Sequence, residues 1–229
     1  MSLQAYLIGE PIIYGLLLVP SAFLVKRHGK HGYLGWGLVT LLCLMHVIGG
    51  AMQLTGTRHG LSVLNSCPGI LLLACCGLWW EVNHHLESFN KSAKIKVIVT
   101  TLLISTGIIL MVNIQLRTLS SRTKISIACG CWGIAWLAAI IQMVISMKAQ
   151  SFGFGEPPQK LLVAATFGTV CAGLRIFFII SVKIRLVYAL QPGAGSFSTA
   201  VILSCVLVPE ALATLFLIII ELMTRGICG

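Results

Sequence analysis

Glu10, His46, Arg175 and Glu210 are ionisable residues set inside long apolar runs of a 229-residue chain. A charged side chain at a bilayer centre costs about 2.5–3.5 kcal/mol on insertion scales, so it faces protein and finds a partner. Two of the four stand beside prolines, in GEPIIYG and VPEALA. Proline removes a backbone N–H and frees the carbonyl four residues back, for Pro209 that of Cys205. Membrane helices tolerate such breaks where they are buried in protein or line a cavity. A glutamic acid kept protonated there is a usable general acid. Glu210 is the expected principal acid or base, Arg175 the group that sets its charge, and His46 or Glu10 the partner that relays or accepts the proton. The structural alternatives are a fixed ion pair between Arg175 and Glu210 and a satisfied interior histidine at 46.

Amides accompany these four. Gln53, Asn65 and Asn113 fall on the N-terminal side of the expected membrane layer, above His46, Arg175 and Glu210. Together they describe a polar-lined cup with charged groups at its floor. The amides would orient a polar group of a substrate, or else act as glue between helices. Trp132 and Tyr188 are among the aromatic side chains that would wall an apolar ligand and shield a developing cation, unless they serve packing alone.

Several chemistries are excluded by residue type. All six acidic residues are glutamates and none is an aspartate, so the aspartate-rich magnesium motifs that ionise diphosphates are missing. Glu81 and His84 have the i, i+3 spacing of a di-iron bundle, but such a site needs the motif twice with two further glutamates. No P-loop, GxGxxG fingerprint or GxSxG elbow occurs. Haem held by two intramembrane histidines fails as well, with His46 the one histidine deep in an expected span. The nine cysteines form no CxxC pair and read as small apolar filler. What remains is acid–base work without metal or cofactor on an apolar substrate, or no catalysis.

The elements that must position these residues follow from composition. Hydrophobic residues make up 57% of the chain and charged residues 10%, against roughly 25% charged in soluble domains. Seven apolar segments are expected to be helices, at about 5–25, 33–55, 61–80, 95–116, 125–147, 161–187 and 198–223, each near the ~20 residues a span needs. Short polar connections such as KRHGKHG, TGTRHG and QPGAGSF make sequential helices antiparallel neighbours. The expectation is one all-α domain over residues 1–229, a single bundle of seven transmembrane helices. The net charge of +10 is spread over loops as in membrane proteins, not gathered into a nucleic-acid stripe. Its sidedness favours a lumenal or outside N-terminus and a cytosolic C-terminus, and Tyr33, Trp36, Trp79 and Trp80 are placed where interfacial aromatic belts lie.

The stretches GYLGWGLVTLLCLMHVIGGAMQL, NSCPGILLLACCGLW, RIFFIISVKIRLVYAL and VLVPEALATLF together resemble an uncharacterised family of fungal seven-helix integral membrane proteins. Where that family usually carries a basic residue this chain has His46. In size and topology the chain is also similar to the small membrane-bound terpene and epoxide cyclases of fungal natural-product pathways. That likeness implies an endoplasmic-reticulum enzyme that cyclises, isomerises or opens an epoxide in a polyene, terpenoid or polyketide. The expected partners are an apolar small molecule and the lipid bilayer, with no nucleic acid. The alternative is a seven-helix receptor or small-molecule transporter, for which an internal repeat or paired broken helices would be the sign.

Overall fold

A backbone surrounded by lipid must satisfy its own N–H and C=O groups, and a helix does so within one segment. The computed structural model describes residues 3–57, 60–85, 91–112, 119–149, 157–188 and 207–223, and these are helical apart from one short turn at 55–57. The helices are α1 (Leu3–Leu54), α2 (Gly60–His85), α3 (Lys91–Val112), α4 (Leu119–Ala149), α5 (Pro157–Tyr188) and α6 (Val208–Met223).

Laid straight, the 52 residues of α1 would extend about 78 Å. Instead α1 doubles back. His46 lies 2.7 Å from Glu10, 36 residues earlier in the chain. The reversal falls between the apolar stretches Ile8–His28 and Tyr33–Leu54, so α1 consists of a first and a second arm packed antiparallel. Helical backbone therefore runs well past the apolar segment expected at 5–25 and takes in Lys26, Arg27 and His28. Lysine and arginine are good helix formers, and nothing in their backbones ends a helix where the hydropathy falls. After the second arm the chain turns at Gly56, whose φ of +73° is the left-handed conformation glycine adopts without strain.

Among the described residues, five segments are long and apolar enough to cross a membrane: the two arms of α1, then Val63–Asn83, Ser126–Lys148 and Gln159–Ser181. The chain is a multi-pass membrane protein whose described residues are helical. The apolar part of α3 is the shorter Val97–Leu110. The 16 described residues of α6 extend about 24 Å; the start of its expected run, 198–206, lies outside the described residues.

Large apolar side chains point outward. Leu16 and Val19 are 72% and 73% exposed, and Leu102, Ile134 and Leu174 are likewise exposed on their helices. Inward positions mix large apolar side chains with polar and ionisable ones. On the first arm Glu10, Tyr14, Leu17, Ser21, Leu24 and His28 are all buried. Their alternating spacing of four and three keeps one stripe of a helix facing one neighbour. The second arm answers with Trp36, Val39, Cys43 and His46, and α6 with Glu210, Thr214, Leu217 and Glu221. These three stripes meet in one polar seam.

Lipid supplies no hydrophobic drive between helices, so close approach by small residues matters. A Cβ built on Gly77 of α2 would stand 2.9 Å from the Gly35 nitrogen of the second arm. Backbone meets backbone there and has nowhere to retreat. Gly77→Val is expected to lower stability by at least the upper end of the ~1–3 kcal/mol typical of overpacking, read as a lower melting temperature in detergent. Tryptophans rivet the other helices. Trp79 of α2 donates to Ser146 Oγ at 2.8 Å, and Trp136 of α4 donates to the Thr169 carbonyl at 2.9 Å. Trp36 and Trp79 are buried against neighbouring helices, while Tyr33 is exposed.

Candidate functional site

The first ionisable centre is assembled by four limbs of the bundle. Glu10 comes from the first arm, His46 from the second, Arg175 from α5 and Glu210 from the first described turn of α6. His46 Nδ1 lies 2.7 Å from Glu10 Oε1, at hydrogen-bond distance, while His46 Nε2 faces Glu210 Oε2 at 3.4 Å. Arg175 Nη1 forms an ion pair with the same Glu210 oxygen. All four side chains are almost completely buried. The Tyr14 ring lies flat on the His46 imidazole, with centroids 3.7 Å apart and planes at 5°.

Local sequence explains why the centre sits here. Pro68 in α2 removes the N–H that would bond to the carbonyl of Leu64. Arg175 Nη2 donates to that Leu64 carbonyl at 2.8 Å. The proline thus opens an acceptor and the arginine fills it, which orients the guanidinium toward Glu210. On the other side, the Pro11 ring packs on Gly50, where an added Cβ would come within 3.0 Å of it. That contact brings the two arms together one residue from Glu10 and one turn from His46. Both proline neighbourhoods position charged groups.

Glu10 joins the centre through His46. Gln53 and Asn65 are half-buried. Gln53 is two turns beyond His46 and packs beside Gly60, where an added Cβ would meet its backbone nitrogen at 2.9 Å. Asn65 is adjacent to Leu64, which holds Arg175. Trp132 is fully buried elsewhere: its indole donates to the Ile104 carbonyl at 3.3 Å and fills the space left by Gly107. Asn113 and the Tyr188 side chain lie outside the described residues.

A second centre joins residues that the sequence did not connect. His28, at the end of the first arm, is buried. Its Nδ1 lies 2.7 Å from Glu81 Oε1 of α2, and its Nε2 lies 2.8 Å from Glu221 Oε1 of α6. Trp36 of the second arm packs against it, with ring centroids 5.6 Å apart. His46 is therefore not the one histidine inside the bundle. Glu81, considered with His84 as half of a di-iron motif, is taken by His28, and the His84 side chain lies outside the described residues. The two carboxylates occupy opposite edges of one imidazole, so no point faces all three groups at metal-ligand distance. Among the described residues no cluster of His, Cys, Asp or Glu is arranged to hold a metal ion.

The fold and the two centres define a class, a multi-pass helical membrane protein with imidazole–carboxylate centres buried on its interior seam. No protein-family model, no curated protein and no solved structure matches this chain.

Proposed function

We propose that the chain is a membrane-embedded acid–base enzyme that cyclises, isomerises or opens an epoxide in an apolar polyene, terpenoid or polyketide. In this reading seven limbs cross the bilayer: the two arms of α1, α2 to α5, and α6 with the residues before it. The endoplasmic reticulum is the proposed membrane, with the N-terminus lumenal and the C-terminus cytosolic. The single observation that carries the chemistry is the placing of His46 between two carboxylates, one of them ion-paired with Arg175. Cyclisation and isomerisation are atom-neutral, since one proton is delivered to an alkene or epoxide and one is removed from the product. Such a reaction needs a donor, an acceptor and a path between them. Glu10 and His46 hold the proton to be delivered. Glu210, used as a carboxylate by Arg175, faces the developing cation and accepts the proton that leaves. Gln53 and Asn65 orient a polar group of the substrate.

Microsomes containing the protein, supplied with candidate epoxides and polyenes, test this by product analysis. Turnover is expected from the wild type, with Glu210→Gln and His46→Ala slower by the ~10²–10⁴-fold typical of losing a positioned acid or base. A wild type that converts none of the panel, or a Glu210→Gln enzyme at the wild-type rate, defeats the proposal.

A further inference from the structure

The second centre has no task in that chemistry, yet it repeats the design of the first. We infer that the chain moves protons between the two ends of its bundle, with Glu10–His46–Glu210 and Glu81–His28–Glu221 as the two holding centres. Each sets an imidazole between two carboxylates. A proton taken up at one ring nitrogen can leave from the other, which suits a relay better than a static ion pair. Glutamate and histidine chains inside membranes are the groups that proton pathways use.

Placement supports a pathway rather than two unrelated contacts. Both centres draw on the first arm, the second arm and α6, with Trp36 as the second arm's contribution beside His28. Glu210 and Glu221 are about three turns apart on α6, ~16 Å, and Glu10 and His28 are about five turns apart on the first arm, ~27 Å. Against a hydrocarbon core of about 30 Å, the two centres stand in opposite halves.

The seam between them is not purely apolar. The Tyr14 hydroxyl and the Trp36 indole N–H are fully buried and have no hydrogen-bond partner among the described residues. Ser21 and Cys43 are buried about midway along the facing stripes of the two arms, and Cys67 of α2 is buried as well. Polar groups thus recur along the stripe, and the unpartnered donors mark where single water molecules would bond. In the transfer one proton enters at one face and one leaves at the other; only O–H and N–H bonds change. The inference does not depend on turnover of an apolar substrate.

The test is proton flux into liposomes holding the full-length protein, with internal pyranine and a potassium gradient clamped by valinomycin. Wild-type liposomes are expected to change internal pH faster than empty ones. Glu221→Gln keeps the shape and an acceptor for His28 but cannot hold the relayed proton, and should fall to the empty-liposome rate. Glu210→Gln should do the same, and Phe23→Ala, on the outward face, should retain the wild-type rate. Glu81→Gln replaces Glu221→Gln if that variant is not monodisperse before reconstitution. A wild type no faster than empty liposomes, or a folded second-centre variant with undiminished flux, overturns the inference. Flux without turnover would defeat only the enzyme reading, and turnover without flux only this one.

Discussion

Arg175→Met is expected to destabilise the protein by about 3–5 kcal/mol, the usual cost of leaving one member of a buried ion pair without its partner. Two groups are orphaned together. Glu210 loses its counter-ion inside the bundle, and the Leu64 carbonyl loses the donor that replaces the N–H missing at Pro68. The double variant Arg175→Met with Glu210→Leu should recover most of the loss, because removing both charges also removes their desolvation penalty. A residual deficit is expected from the Leu64 carbonyl. Thermal unfolding of detergent-solubilised protein reads both effects. Equal melting temperatures for wild type and Arg175→Met would show that the guanidinium does not hold this centre.

His28→Leu should cost a similar ~3–5 kcal/mol for a related reason. Without the imidazole, Glu81 and Glu221 are left across a void in low dielectric, each having lost a partner at hydrogen-bond distance. Adding Glu81→Gln and Glu221→Leu to His28→Leu removes the facing charges and should restore much of the melting temperature. If the single variant melted like the wild type, Glu81 and Glu221 would not need His28, and the second centre would be an incidental contact. Stability is the readout here, separate from the flux that tests what the centre does.

The limbs of the bundle were legible because hydropathy in lipid is a strong constraint. The apolar runs expected at 61–80, 125–147 and 161–187 all lie within described helices that extend further at both ends. The Arg175–Glu210 pairing was legible too, since antiparallel threading places two opposite charges at one depth. The His28 centre was hidden by its surroundings. In KRHGKHG, histidine is one polar residue among several, and the fall in hydropathy there suggests a loop. The trace it leaves is periodic: 10, 14, 17, 21, 24 and 28 form one unbroken stripe whose last member is His28. Following that stripe past the apolar segment would have placed His28 on the interior, opposite the end of α6 where Glu221 lies. The Tyr14 ring stacked on His46 was not legible, because that contact depends on how closely the two arms of α1 approach.

The closure of both centres by α6 has a consequence for biogenesis. His28 and Glu221 are 193 residues apart in sequence. During synthesis, the α1 hairpin enters the membrane with Glu10, His28 and His46 before α6 emerges. A nascent chain stopped before Val208 lacks both carboxylates of α6 and the counter-ion of Arg175. Membrane quality control recognises unpaired charge in lipid, so such truncated chains should be degraded, while chains that include α6 escape once it docks. Docking of α6 and burial of these charges are therefore the same event, and α6 acts as the proofreading step of the bundle's assembly.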